Sequence, residues 1–363
     1  MNSALQEILQ DLQRQYPLAR LSDYVKLIYQ NEFGCGHLIT DPARALERLR
    51  AECATAQRGA RLFESVGNGC RRVYLRNALE LGASPRLLHR MMLASAQKTH
   101  GTEEGLLQKL LLLQQLCDTS RLPFSGGLCR LYLSNYEAAG CPALHHSDAY
   151  RAAYAPAYRL IFGEYARFFE LFLRLERMLK TTQDPILVAI DGPCASGKTT
   201  LAALLQTCFD CSIFHTDDFF LRPEQRTPAR LHQCGGNMDR ERLEAEVLAP
   251  LTRHSDVFYR AYDCKTQRIG PGTPVPFRRI NLIEGSYSMH PALRRYYSLS
   301  VALTVSPECQ LARLRRRESP ESLKRFQALW IPMEQAYAKG TDLFHAADLC
   351  YSCDDTTENE KEP

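Results

Sequence analysis

The segment ILVAIDGPCASGKTTLAALLQ, residues 186–206, decides the fold of the C-terminal half of this 363-residue chain. Its first five residues, 186–190, form a short continuous apolar run, which is typical of a strand buried on both faces. The glycine-containing turn GPCASGKT follows at Gly192–Thr199, and a helical stretch comes next. A strand, a glycine turn and a helix in this order predict the start of a parallel α/β sheet.

The turn matches the pattern G-x-x-x-x-G-K-[ST], in which backbone N–H groups and a helix N-terminus surround a chain of phosphates. Lys198 would place a positive charge on the outer phosphates, so we also predict it as catalytic. The Thr199 hydroxyl would ligate Mg²⁺. The predicted cofactors are therefore ATP and Mg²⁺. The alternative is a glycine turn that binds nothing, which the strand–loop–helix context disfavours. The residues assigned to nucleotide binding are Gly192, Pro193, Cys194, Ala195, Ser196, Gly197, Lys198, Thr199 and Thr200.

Three further short apolar runs, at 211–215, 280–284 and 301–305, alternate with helical stretches. This alternation predicts buried parallel strands flanked by helices. We therefore expect a P-loop NTPase fold, an α/β domain over residues 184–352. Because the carboxyl ends of parallel strands meet at one edge of a sheet, side chains that follow these runs should lie near the glycine turn.

Carboxylates lie at or just after the ends of two of these runs. Asp217 and Asp218 come one residue after the run at 211–215, and Glu284 is the last residue of the next run. We predict Asp217 as the base that accepts the proton of a substrate hydroxyl. Asp218 and Glu284 are predicted metal ligands. The alternatives are turn or cap residues for the aspartate pair and a solvent-facing carboxylate for Glu284.

A basic cluster lies in the predicted helix after the last run, with arginines at 313, 315, 316 and 317. Arginines that close over a site can stabilise the charge of a transferring phosphoryl group and exclude water. Arg313 and Arg317 lie one helical turn apart and could face the site together, so both are predicted as catalytic. The alternative is a solvated helix face.

Six segments stand in the same order between residues 184 and 352: IDGPCASGKTTLA, HTDDFF, GGNMDRERLEAEVLAPL, YRAYDC, LIEGSYS and RLRRRE. Together they resemble the uridine kinase/phosphoribulokinase family of P-loop kinases. The resemblance implies ATP-dependent phosphorylation of a hydroxyl on a nucleoside or another sugar-like alcohol. It also implies substrate contacts by Asp239, Tyr262 and Gln267. The last of these stands where uridine kinases carry a histidine, although its amide could still pair with a base edge.

Other interpretations of these residues stay open. Asp239 could equally cap the following helix, and Tyr262 could simply pack. An ATP-dependent switch that transfers phosphate only to water is the alternative function. A polynucleotide kinase is a third, which the small net charge of +4 disfavours, because phosphate backbones require many Lys and Arg contacts.

Residues 1–180 are predicted as an all-α domain. Ser84-Pro85, for example, is an N-cap signal, and 157–180 has helical character. Tyr150, Tyr154 and Tyr158 recur every fourth residue, as on one helix face. We expect this domain to sense a ligand, cover the kinase cleft or mediate assembly. A homo-oligomer is one such assembly. His37 lies in the glycine-rich bend FGCGH, and the acidic tail 354–363 is predicted to be disordered.

Composition sets the broad class. The chain is 45% hydrophobic and 24% charged, as in ordinary globular proteins, and its length fits two domains. No apolar run reaches the length of a membrane span, and the N-terminus lacks signal-peptide features, so we expect a cytoplasmic protein. Fourteen cysteines are then expected to be reduced. Two CxxC pairs, Cys208/Cys211 and Cys350/Cys353, give only a weak zinc signal. The expected partner is a small-molecule substrate.

Overall fold

The computed structural model describes residues 2–34, 39, 41–98 and 101–354. His37 and residues 355–363 of the predicted tail lie outside this description. The chain divides into two compact units, of which the first ends at Leu173 and the second begins at Arg174. Within the described ranges, no helix combines the length and the apolar character needed to cross a membrane.

The N-terminal unit is mainly helical, as predicted. Its helices are α1 (Asn2–Gln15), α2 (Leu21–Phe33), α3 (Pro42–Thr55), α4 (Leu75–Glu80), α5 (Pro85–Lys98), α6 (Glu103–Asp118), α7 (Gly126–Ala138), α8 (Asp148–Tyr154), α9 (Gly163–Arg167) and α10 (Phe169–Thr181), which extends past the boundary. The unit also contains an antiparallel sheet in the order β1-β2-β3. Its strands are β1 (Phe63–Gly67), β2 (Cys70–Tyr74) and β3 (Tyr158–Phe162).

This sheet corrects the expectation of helices alone, and of one helix over 157–180. Helix α8 ends at Tyr154 because Ala155 has a left-handed φ of +40° and Pro156 cannot continue the hydrogen-bond ladder. Tyr158 therefore lies on β3 and not on a shared helix face. The three predicted tyrosines still cluster, since the Tyr150 and Tyr154 rings lie 4.9 Å apart and Tyr158 bonds to His146.

The C-terminal unit has the predicted P-loop α/β fold. Five parallel strands form a sheet in the order β10-β9-β4-β8-β5, and β6 and β7 form a separate antiparallel hairpin. All four predicted strands are present, as β4, β5, β8 and β9. The strands are β4 (Ile186–Asp191), β5 (Cys211–His215), β6 (Val257–Asp263), β7 (Arg268–Val275), β8 (Ile280–Glu284), β9 (Leu299–Thr304) and β10 (Leu349–Ser352).

Helices surround this sheet and two of them continue through π-helical turns. They are α11 (Lys198–Cys208), α12 (Pro228–Leu231), α13 (Arg240–Leu243), α14 (Ala249–Thr252), α15 (Pro307–Arg317), α16 (Pro320–Arg325), α17 (Ile331–Gly340) and α18 (Leu343–Ala346). The π turns are Glu244–Leu248, between α13 and α14, and Phe326–Trp330, between α16 and α17. Short 3-10 turns are Thr216–Phe219, Pro223–Gln225 and Arg294–Tyr296.

The central strands explain why the sequence shows continuous apolar runs there. Every residue of β4 and of β8 is buried, because each strand has neighbours on both edges and is covered on both faces. Phe214 of β5 and Phe219 join the same core and are fully buried. This packing fixes the strand ends, and the polar residues that follow those ends form the candidate site.

Candidate active site

The glycine turn lies between β4 and α11, where the sequence predicted it. Gly192, Ala195 and Gly197 have φ values of +147°, +60° and +99°. Lys198 Nζ folds back over the turn and donates to the carbonyl oxygens of Gly192 and Pro193, both at 2.9 Å. The lysine head is therefore at the beginning of the loop, beside the end of β4.

The next two carbonyl oxygens of the loop are held by α15. Gln310 Nε2 donates to the Cys194 carbonyl at 2.9 Å, and Arg313 Nη1 donates to the Ala195 carbonyl at 2.9 Å. Four consecutive carbonyls are thus bonded within the protein, while the first N–H groups of α11 lack intrahelical acceptors. The buried Ser196 hydroxyl also lacks a partner among the described residues. A loop with satisfied carbonyls and available donors fits an anionic phosphate chain.

Two oxygen ligands meet where a magnesium ion would be expected. Thr199 Oγ1 donates to Glu284 Oε1 at 3.0 Å. His215 Nδ1 lies 2.5 Å from the same carboxylate oxygen, because β5 and β8 are neighbours and His215 pairs with Glu284 in their register. The hydrogen bond to Glu284 raises the pKa of His215. Hydroxyl and carboxylate oxygens suit Mg²⁺, so Thr199 and Glu284 fit the predicted ion. His215 was not among the residues predicted from the sequence.

Asp217 lies in the 3-10 turn that follows β5. Desolvation raises the pKa of Asp217, the Lys198 ammonium lowers it, and the Glu284 carboxylate raises it further. Asp217 comes two residues after His215, which bonds to Glu284, and Glu284 accepts the hydroxyl hydrogen of Thr199, the residue after Lys198. The structure therefore brings Asp217, Lys198 and Glu284 to one edge of the sheet.

Asp218 faces a different neighbour. Its Oδ2 accepts the hydroxyl hydrogen of Tyr259, on β6, at 3.2 Å. Its predicted partners Thr199 and Glu284 contact each other instead. Within the described ranges, no group of three or more His, Cys, Asp or Glu side chains is arranged to hold a metal ion.

The two predicted lid arginines have different environments. Arg313 donates to the backbone carbonyls of Ala195 and Cys353, so it supports the outer side of the loop. The Arg317 side chain is 55% exposed, pairs with Glu318 at 2.7 Å and lies 5.8 Å from the centre of the Phe326 ring. Only Arg317 therefore has a guanidinium that could turn toward a bound ligand without losing bonds to the loop.

The three predicted substrate residues do not form one cluster of contacts. Asp239 caps α13, with Oδ1 accepting the Arg242 N–H at 3.2 Å and Oδ2 accepting from the Gln225 amide at 3.0 Å. Tyr262 is buried, and its hydroxyl accepts from Arg226 Nη2 at 2.9 Å. Gln267 is exposed in the turn between β6 and β7, with a φ of +56°.

A further carboxylate, which was not predicted from the sequence, contacts the loop. Glu334, on α17, accepts the Cys194 N–H at 2.8 Å through Oε2 and the Ser286 hydroxyl at 2.6 Å through Oε1. No local pattern marks this residue, because it lies 140 positions after Cys194 in the chain. Asp191, at the end of β4, was also missed. It is buried and accepts from Tyr337 and from three backbone N–H groups, so it fixes the start of the loop.

Comparison with known proteins gives matches among solved structures. Neither a family model nor a curated protein matches this chain. A possible uridine kinase from Bacillus stearothermophilus is 21% identical, with a TM-score of 0.36, over 50% of this chain and 99% of that one. A candidate fructose transport system kinase from Silicibacter sp. TM1040 is 24% identical, with a TM-score of 0.41, over 49% of this chain and 95% of that one. Shikimate kinase from Bacteroides thetaiotaomicron is 18% identical, with a TM-score of 0.26, over 48% of this chain and 89% of that one. Each match covers about half of this chain.

Proposed function

We propose that this protein transfers a phosphoryl group from ATP to a hydroxyl of a small molecule, either a nucleoside or another sugar-like alcohol. The observation that carries the proposal is a pair of contacts at the edge of the sheet where the glycine turn lies. Glu284 bonds to Thr199, the residue after Lys198, and to His215, two residues before Asp217. A cation for the phosphates, a base for the hydroxyl and an oxygen ligand for Mg²⁺ are the groups that phosphoryl transfer requires.

In the proposed reaction, Asp217 takes the proton of the acceptor hydroxyl while the hydroxyl oxygen bonds to the terminal phosphorus of ATP. The bond from that phosphorus to the bridging oxygen breaks, and ADP leaves with the electron pair. Lys198 would stabilise the outer phosphates, and Arg317 would approach the transferring group. Thr199 and Glu284 would hold Mg²⁺, which neutralises phosphate charge when bound.

The proposed acceptor class rests on Asp239 and Gln267, two polar residues predicted to contact the substrate. Both oxygens of Asp239 already accept a hydrogen bond, from the Arg242 N–H and from the Gln225 amide, so a sugar hydroxyl would use a remaining lone pair or replace the Gln225 amide. Gln267 lies at the exposed tip of the hairpin, where it could reach an acceptor but is not held in place for one. We therefore propose a hydroxyl-bearing acceptor and do not restrict it to uridine.

The test is a measurement of ADP release with a panel of nucleosides, sugars and pantothenate-like alcohols. One acceptor should stimulate ADP release in the wild type. Asp217→Asn should lower the stimulated rate about 10²–10⁴-fold while ATP binding is retained, because the variant loses the base and not the phosphate loop. Asp210→Asn is the matched control, since Asp210 is an exposed aspartate that precedes β5 and pairs with Arg278.

Two results would contradict the proposal. ADP release that no acceptor stimulates would favour the alternative of a nucleotide-dependent switch. Full stimulated activity in Asp217→Asn would remove the assigned base even if an acceptor were found.

A further inference from the structure

Glu334 holds a negative charge against the glycine turn. Its carboxylate accepts the Cys194 N–H at 2.8 Å and the Ser286 hydroxyl at 2.6 Å. Cys194 is the third residue of the turn, and Ser286 follows the end of β8. Donors from two neighbouring loops at the carboxyl edge of the sheet therefore fix this half-buried carboxylate.

Two observations put Glu334 near the beginning of the loop, where the outer phosphates would lie. Lys198 Nζ, the group that reaches outer phosphates, bonds to the Gly192 and Pro193 carbonyls, directly before Cys194. The Ser286 hydroxyl donates to Glu334, and the carbonyl of the same serine accepts the hydroxyl hydrogen of Thr216, the residue before Asp217, at 3.0 Å. Glu334 is therefore close to the proposed base as well as to the first part of the loop.

We propose that Glu334 occupies a phosphate position of the loop in the nucleotide-free chain and thereby sets the affinity for the terminal phosphate of ATP. This inference rests on the proposed function, because it assumes that the loop binds a nucleotide. An incoming triphosphate must displace the carboxylate from Cys194 or bind beside it. Either outcome weakens binding, since like charges repel strongly where water is partly excluded.

The position of Glu334 in the chain links nucleotide binding to a helix. Glu334 lies in the first turn of α17, directly after the π-helical turn Phe326–Trp330 that joins α17 to α16. Wide turns of this type interrupt a helix locally and are frequent at functional sites. Displacement of Glu334 by a terminal phosphate would therefore move or reorient the first turn of α17.

The test is calorimetric titration of the full chain with ATP, ADP and AMP in the presence of Mg²⁺. Glu334→Gln keeps an oxygen that can accept the Cys194 N–H and removes only the charge. Its Kd for ATP should fall about tenfold, and its Kd for ADP should fall less than threefold, because the repulsion decreases with distance from the terminal phosphate. Glu321→Gln is the matched control, since it removes an exposed charge from α16, and it should leave both constants unchanged.

Outcomes for the inference and for the proposed function are distinguishable. If the wild type does not bind ATP, both are wrong. If the wild type binds ATP and Lys198→Ala does not, but Glu334→Gln binds ATP with unchanged or weaker affinity, only the inference is wrong. Ser286→Ala provides a second variant should Glu334→Gln unfold, because it removes one anchor of the carboxylate and should also tighten ATP binding. Unchanged ATP affinity in Ser286→Ala would then overturn the inference.

Discussion

Two glycines of the glycine turn, residues 192–199, allow the packing of that turn to be tested. Gly192 and Gly197 both have positive φ, at +147° and +99°. A Cβ at Gly192 would lie 2.4 Å from the backbone oxygen of Leu303, on β9, whereas a Cβ at Gly197 would meet nothing within 4 Å. Gly192→Ala and Gly197→Ala therefore share backbone strain and differ in a steric overlap with the sheet.

The magnitudes follow from these two terms. Backbone strain costs roughly 1–3 kcal/mol in either variant. Gly192→Ala adds the cost of moving a strand carbonyl that is held in the sheet, about 1–3 kcal/mol by analogy with overpacked cores. We therefore expect Gly192→Ala to unfold at the lower temperature. The separation should be about 4–8 °C for a difference of about 2 kcal/mol in a domain of this size.

The assay is thermal unfolding of both variants and the wild type, followed by near-ultraviolet circular dichroism. The same samples can be titrated with ATP, because the loop should lose nucleotide affinity together with its geometry. Equal destabilisation of the two variants, or a larger effect at Gly197, would show that the close approach of Leu303 does not decide the loop conformation.

Three further predictions concern other contacts. Burial lowers the pKa of His146 from 6.5 to about 4, so the unfolded chain binds a proton between these values and the folded chain does not. About 3 kcal/mol of the free energy of unfolding should therefore be lost as pH falls from 6.5 to 4. In urea unfolding, the free energy of unfolding of His146→Phe should depend less on pH than that of the wild type. Parallel curves of this free energy against pH for the two proteins would contradict the prediction. Glu284→Gln should raise the Mg²⁺ concentration for half-maximal ATP binding about tenfold, and Asp218→Asn should raise this concentration less. A larger increase in Asp218→Asn than in Glu284→Gln would make Asp218 the better ligand. Arg313→Met should destabilise the C-terminal unit by about 2 kcal/mol, because two backbone carbonyls lose a charged donor, while Arg315→Met, at an exposed position of the same helix, should have no effect on urea midpoints.

Much of the candidate site could be predicted because its parts are adjacent in the chain. The strand β4, the loop and α11 are consecutive, so one pattern covers all three. The parallel topology then predicted that Glu284 would lie near Thr199, and the structure places these two side chains in contact at 3.0 Å. The environment of Asp218 could not be predicted, because it depends on Tyr259, on the separate β6–β7 hairpin.

The antiparallel sheet of the N-terminal unit was missed for a different reason. Its strands are five residues long and carry charged side chains, as in FESVG and CRRVY, so they lack an apolar run. The dipeptide Asn68-Gly69 between β1 and β2 is a hairpin signal that could have revealed them. Strand β3 pairs with β2 across more than 80 residues, and no local pattern shows such a partner.

The sequence by itself determined the glycine turn, the strands that carry its neighbours and the order of the acidic residues along the chain. These features depend on residues that are close in sequence, where periodicity and turn chemistry act directly. Only the tertiary structure decided that His215 bonds to Glu284, that Arg313 supports the loop from outside and that Glu334 reaches Cys194. Those contacts depend on strand order and on helix placement, which follow from packing of the whole unit and not from any one segment.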